Sequence, residues 1–219
     1  MTTSVPIQNS GLRIISLIPS ATEILAVLGL TAHVVGRSHA CDYPPEIQSL
    51  PICTQPKFDP GGSSRVIHQR VTELLQSALS VYQVNLEILQ QLQPTHILTQ
   101  AQCEVCAVSL CEVEEAVGML IGRQPQIISL QPNTLADVWA DIHRVGDSLG
   151  REATPVIHGL LSRIQVCEDQ TTAELKRPTV ACIEWTDPLM AAGNWIPELV
   201  TLAGGSEFIW PQWRTLPLA

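Results

Sequence analysis

The stretch Arg13-Ile-Ile-Ser-Leu-Ile-Pro-Ser-Ala-Thr-Glu-Ile-Leu-Ala-Val-Leu-Gly29, followed closely by Val34-Val-Gly-Arg37, decides the fold class. Arg13 to Ile18 is an apolar run of buried-strand length, and Pro19 ends it. Ser20-Ala-Thr-Glu23 has the spacing of a capping box, in which Ser20 and Glu23 satisfy each other's backbone N–H groups. Ile24, Leu25, Val27 and Leu28 continue a helix, and Gly29 suits its C-terminal cap. Val34 to Arg37 reads as a second strand. Strand–helix–strand is the unit of a parallel sheet, because parallel neighbours need a crossover connection.

Outward from that unit the alternation continues. Cys41-Asp-Tyr-Pro-Pro45 is a loop, since two prolines block both helix and ladder pairing. Ile52 to Thr54 is a short strand, Lys57 to Ser64 a loop, Val66 to Leu79 a helix, and Leu86 to Leu92 a second helix that stops before Pro94. His96 to Thr99 and Gln126 to Leu130 are strands flanking a helix at Glu112 to Leu120. This pattern predicts an α/β lobe with a mostly parallel sheet. Beyond it, Thr134-Leu-Ala-Asp137 is a second capping box. Leu135, Val138, Ile142, Val145 and Leu149 share one face of the following helix, and Gly150 ends it. Pro155 suits the first turn of another long helix reaching about Cys167. No strand is expected between Leu130 and Pro178, so this region reads as a helical connector. Thr179 to Glu184 is a further strand, and Trp195 to Ala203 a short helix ended by Gly204-Gly205. One strand and one helix are too few for a free-standing sheet domain. The expected organisation is therefore an N-terminal α/β lobe over 1–133, a helical connector over 134–176 and an incomplete second α/β lobe over 177–219.

Composition excludes several functions. Of 219 residues, 45% are hydrophobic and only 15% charged, which fits a chain with a sizeable core. With 21 acidic against 12 basic side chains, the formal charge is -9, and nucleic-acid binding through a basic face is not expected. No window is long and apolar enough to predict a membrane span. The first ten residues show neither a basic n-region nor an apolar h-region, so the sequence carries no secretory signal and a cytoplasmic location is expected. Seven scattered cysteines, an odd number, do not read as a disulfide framework.

Several groups of residues can carry chemistry. Cys103-Glu-Val-Cys106 follows a strand and precedes a helix, where a C-x-x-C can support thiol exchange or supply half a metal site. No second such pair exists in the sequence, and a packing or loop-structuring role is the plainer reading. The loop Cys41-Asp42-Tyr43 follows a strand, and loops at the carboxyl ends of parallel strands are where α/β proteins bind ligands. Tyr43 can stack on a flat ligand or anchor its own loop. His39 lies closest to it and is the histidine expected to face a site; His33, His68, His96, His143 and His158 form no ligand set. Trp185 and Trp195 follow the last predicted strand and either line a pocket opposite Tyr43 or cap the core. No Ser/His/Asp arrangement, Gly-rich phosphate loop or Walker motif is present, so no enzymatic activity and no catalytic cofactor are expected.

Arg13 to Leu25, Val35-Gly-Arg-Ser-His-Ala-Cys-Asp-Tyr-Pro-Pro45 and Asn85-Leu-Glu-Ile-Leu-Gln-Gln-Leu-Gln-Pro94 together resemble the iron-siderophore and cobalamin substrate-binding proteins of ABC importers, and the second of these motifs narrows the resemblance to the cobalamin branch. Thr99 to Ser109 is similar to a subgroup of that branch. The resemblance covers about Arg13 to Gly205. It implies two α/β lobes joined by a stiff helix with the ligand in the cleft between them, a corrinoid as ligand, and an ABC permease as partner. It also implies that Tyr43 contacts the corrinoid and that Glu87 is the first-lobe carboxylate pairing with permease arginines. The second-lobe docking glutamate is not clearly matched; Glu198 lies three positions off. The family's pocket tryptophan falls near Gln55. The family is periplasmic, a location that the resemblance implies here only if an upstream signal was removed, and its second lobe continues well past the position of Gly205, so an incomplete second lobe is expected. The expectation is a non-enzymatic corrinoid-binding protein. Two other classes compete with it: a cytosolic thiol-redox or metal-handling protein using Cys103 and Cys106, and a remnant acting only by protein association through exposed apolar surface.

Overall fold

The structure is a computed structural model that describes residues 11–76, 80–102, 107–172, 176–186 and 189–208. The chain divides into two units, Met1–Gln131 and Pro132–Ala219.

In the first unit, Ile14–Ser16 forms β1 and all three residues are buried. Pro19–Val27 forms α1, and Val34–Arg37 forms β2, parallel to β1. The start of α1 differs from the capping-box expectation. Ile18 is the N-cap and offers no side-chain bond, while Pro19 holds the first helical position. Proline has its φ preset for a helix and lacks the N–H that would be orphaned there, so the helix begins at Pro19 and leaves Ser20 inside it. The other end is as read. Gly29 has φ +69, its N–H bonds to the Ala26 carbonyl at 3.0 Å, and Leu30 N–H reaches back to Leu25 at 2.8 Å. That pair of bonds is a Schellman motif.

Thr54–Pro56 forms β3, two residues beyond the expected position, with Ile52 making only an isolated bridge to Arg37. Ser64–Leu75 forms α2, capped by Ser63, whose hydroxyl accepts from Val66 N–H. The last expected residues of that helix lie outside the described ones. Tyr82–Val84 forms β4, which the sequence reading missed, and it pairs antiparallel with β3. Leu86–Leu92 forms α3, capped by Asn85, and His96–Gln100 forms β5. Leu110–Gly118 forms α4, which starts two residues earlier than expected because Ser109 caps it. Gln126–Leu130 forms β6.

The main sheet has the order β2-β1-β5-β6 and is parallel throughout. Ile15, Ile97 and Ile127 are register partners across β1, β5 and β6, and they pack with Leu89 of α3 and Val113 of α4. Ile14, Leu98 and Ile128 point the other way and are also buried. Burial on both faces explains why these strands read as unbroken apolar runs rather than alternating ones. Gly36 in β2 has a packing role: a Cβ there would lie 2.6 Å from Cys53 Sγ and 2.8 Å from Leu92 Cδ1.

In the second unit, Leu135–Ser148 forms α5. Its capping box is complete: Thr134 Oγ1 accepts from Asp137 N–H at 3.2 Å and Asp137 Oδ2 accepts from Thr134 N–H at 2.8 Å. Thr154–Thr172 forms α6, about one turn longer than expected. Thr179–Val180 forms β7, Ile183–Thr186 β8, Leu189–Ala191 β9, Ile196–Leu202 α7 and Ser206–Glu207 β10. The single strand expected over Thr179 to Glu184 is thus split. Its first part pairs in parallel with β10, while β8 turns back against β9. Ile183, paired with Ala191 in this hairpin, is exposed.

Candidate ligand-binding site

In the order β2-β1-β5-β6 the chain steps from β1 to β2 on one side and returns as β5 on the other. The direction of winding reverses between β1 and β5, and open α/β sheets bind ligands at the carboxyl ends of strands beside such a reversal. Because all four strands are parallel, Ser16, Arg37, Gln100 and Leu130 end at one edge. The loop Ser38 to Pro44 leaves that edge directly after β2.

Arg37 builds this loop from beneath. Its Nη1 donates to the carbonyls of Ser38 at 3.1 Å and Cys41 at 2.9 Å, and its Nη2 donates to Gln48 at 3.0 Å. A buried polar group ties the loop to β1. Ser38 N–H donates to the Ser16 carbonyl at 2.8 Å, and Thr22 Oγ1 lies 2.8 Å from Ser16 Oγ and 3.1 Å from Cys41 Sγ. Burial pushes the Cys41 thiol pKa up, so it stays a neutral packing group. Cys53 is pushed up to about 12 for the same leading reason.

On this base sit the residues singled out in the sequence. His39 and Tyr43 are exposed, as is Asp42, and Tyr43 is joined to Pro44 by a cis peptide bond. His39 is held firmly. Its backbone N–H donates to Thr54 Oγ1 at 3.1 Å, its Nδ1 lies 2.8 Å from the same oxygen, and its ring stands 5.0 Å from that of Tyr82 at an interplanar angle of 35°. Its pKa is lowered, first by desolvation and then by the Arg37 charge, against a hydrogen bond to the Thr54 backbone that raises it. The imidazole is therefore neutral near pH 7. Tyr82, Thr54 and Arg37 were not picked out as site residues. A signal for Tyr82 existed in Val81-Tyr-Gln-Val84, a short apolar–polar alternation between Ser80 and Asn85.

The other expected residues fall elsewhere. Glu87 is exposed in the first turn of α3. In the second unit, Trp185 lies in β8 opposite Met190, and the half-buried Trp195 precedes α7. Glu198 Oε1 accepts from Leu135 N–H at 3.1 Å and so braces the start of α5. Gln55 lies in β3 beside Thr54. Cys103 and Cys106 lie outside the described residues. Among the described residues no three His, Cys, Asp or Glu side chains converge on a metal-sized site, and no helix is long and apolar enough to cross a membrane.

No protein-family model matches the sequence, and no curated protein is similar to it. Solved structures are similar in shape. The periplasmic heme-binding protein RhuT from Roseiflexus sp. RS-1 matches with a TM-score of 0.63 at 21% identity, over 90% of this chain and 65% of that one. The periplasmic vitamin B12-binding protein BtuF of Vibrio cholerae matches with a TM-score of 0.59 at 20% identity, over 89% of this chain and 65% of that one. The fold is that of periplasmic substrate-binding proteins. The heme-binding protein HutB of Vibrio cholerae extends the likeness, with a TM-score of 0.65 at 17% identity over 96% of this chain and 71% of that one. This substrate-binding-protein fold accounts for the α/β class and the parallel sheet read from the sequence. The chain spans 65% of the length of the first two structures.

Proposed function

We propose that the protein is a non-enzymatic carrier that binds a flat metal-containing tetrapyrrole, cobalamin foremost, and presents it to an ABC permease. The observation that carries this reading is Tyr43. It is 59% exposed on a loop that Arg37 holds at the carboxyl edge of a parallel sheet. Keeping a large aromatic in water has little structural use, whereas an aromatic face held there offers a flat ligand a stacking surface. Solved proteins of this fold are described as binding vitamin B12 and heme, both flat macrocycles around a metal. His39 and Asp42 precede Tyr43 on the same exposed loop and are the further contacts proposed for the ligand. Glu87, exposed at the start of α3, is the carboxylate that meets a permease arginine. Delivery to a permease places the working site outside the cytoplasmic membrane, as for the neighbours described as periplasmic.

The test is a titration of the purified, reduced chain with cobalamin, read by tryptophan quenching and calorimetry. Saturable one-to-one binding is expected, weakened by roughly tenfold in Tyr43→Ala, from lost stacking and apolar contact. Absence of saturable binding at high micromolar cobalamin and heme refutes the reading. Binding of heme without cobalamin keeps the carrier and corrects the ligand.

A further inference from the structure

We propose that Gln48 is the positioning residue for Tyr43: its side-chain amide closes a ring of hydrogen bonds that holds the tyrosine in place before a ligand arrives. The inference rests on the ligand-binding reading above and names the residue on which the presentation of Tyr43 depends.

The backbone on both sides of Tyr43 is tied to one short turn. After Tyr43 the chain enters the 3₁₀ turn Pro45–Ser49, with Pro44 as its N-cap. The Pro44 carbonyl accepts from Ile47 N–H at 3.1 Å, and the buried Ile47 side chain anchors the turn. The ring of Pro44 also fixes φ at the residue that follows Tyr43. Before Tyr43, the Asp42 carbonyl shares a rigid peptide plane with the Tyr43 N–H. Gln48 Nε2 donates to that carbonyl at 2.6 Å. The turn that follows Tyr43 therefore reaches back and grips the peptide that precedes it.

Arg37 completes the ring. Its Nη2 donates to the carbonyl of Gln48 itself at 3.0 Å, and its Nη1 donates to the Cys41 carbonyl at 2.9 Å. Arg37 thus holds two corners, and the Gln48 side chain forms the side nearest Tyr43. Among the described residues no other hydrogen bond reaches the Asp42 carbonyl. Gln48 is exposed, so water replaces its bond at little cost to overall stability. The effect is local. A loop that samples several conformations has to be ordered as the ligand binds, and a frame formed beforehand removes that cost. Tyr43 needs such a frame, because a side chain 59% exposed has few packing contacts to fix it.

The test is a double-mutant cycle on the full chain, with Gln48→Ala and Tyr43→Ala made separately and together and titrated with cobalamin and with heme. Gln48→Ala should melt within about 2 °C of wild type. It should bind about two- to tenfold more weakly. Gln48→Glu keeps the side-chain length but sets a carboxylate against the Asp42 carbonyl, and it should weaken binding in the same way. In the Tyr43→Ala background, Gln48→Ala should change affinity by less than about twofold, because the residue it positions is gone. In the ligand-free protein, the NMR order parameter of the Tyr43 amide should fall from about 0.85 toward about 0.6 on Gln48→Ala. Equal loss of affinity in both backgrounds marks Gln48 as an independent contact; it overturns the positioning role and leaves the carrier reading standing. An unchanged order parameter does the same. Absence of saturable binding of either probe by the wild type overturns both.

Discussion

Arg37→Met removes a guanidinium while keeping an unbranched stem of similar length, and it tests whether Arg37 holds the ligand loop. Three carbonyls lose a charged donor, those of Ser38, Cys41 and Gln48. Hydrogen bonds to charged groups contribute about 1.5–3 kcal/mol each. The Gln48 bond is exposed, and water replaces it at little cost. The two part-buried bonds then amount to roughly 3–6 kcal/mol. Methionine also relieves a penalty, because Arg37 Nε is buried without a partner; that returns about 1–3 kcal/mol. Taking the middle of both ranges, the net loss is about 2–3 kcal/mol, concentrated in the loop. Local opening should rise roughly 30- to 150-fold, read as faster hydrogen exchange at the amides of Ala40 and Cys41. A second readout is independent of stability. The Arg37 charge lowers the His39 pKa, so its removal should move that pKa upward in an NMR titration. Exchange within twofold of wild type, with no upward movement of His39, would refute the argument.

Three further outcomes follow from separate features. Gly36→Ala drives a methyl against Cys53 Sγ and Leu92 Cδ1 and should cost about 1–3 kcal/mol by overpacking, measured by denaturant melting of the first unit; an unchanged midpoint would contradict the packing described. In native protein at pH 8, the exposed Cys111 and Cys167 should alkylate readily, while Cys53, with a pKa of about 12, is ionised in only about one molecule in 10⁴. Peptide mass spectrometry showing Cys53 modified as fast as Cys111 would rule this out. Asp137 has a pKa lowered by hydrogen bonds from Asn133 N–H, the Thr134 hydroxyl and Thr134 N–H. The folded state therefore binds its proton less readily than the unfolded one. Its stabilisation is present above the ordinary carboxylate value and disappears as pH falls through the lowered one. Thr134→Ala should cost about 1 kcal/mol at neutral pH, and Asp137→Asn should flatten the acid limb of the stability curve.

The parts of the fold that could be read in the sequence are those where a side-chain pattern and a backbone need coincide. Ile14-Ile15 and Ile97-Leu98 are apolar because both faces of their strands are covered. Gly29 and Gly150 stand where φ is positive, and Thr134 with Asp137 cap a helix. What escaped lacks such a coincidence. Strand β4 is three residues long with partly exposed positions, so its brief Tyr82-Gln-Val84 alternation is a weak signal beside the longer apolar runs. At α1 two start signals competed, and the preset φ of Pro19 prevailed over the hydroxyl of Ser20. In the site, His39 and Tyr43 were visible as unusual residues on a predicted loop. Their supports were not: Arg37 acts on backbone carbonyls, which leave no mark in the sequence. Thr54 and Tyr82 come to His39 through the antiparallel pairing of β3 with β4.

The position of β1 has a consequence for synthesis. Its partner β2 follows within about 20 residues, but its other neighbour, β5, lies far along the chain; the bond from Arg13 N–H to Thr95 Oγ1 spans 82 residues. On a ribosome adding about 5–20 residues per second, one edge of the central strand waits several seconds for its complement. During that interval the nascent chain presents an unzipped strand edge flanked by Ile14 and Ile15, which are buried in the finished fold. Slowed elongation between the codons for Arg37 and His96 would lengthen that exposure, whereas a holdase binding the emerging Ile14 to Ile18 would shield it.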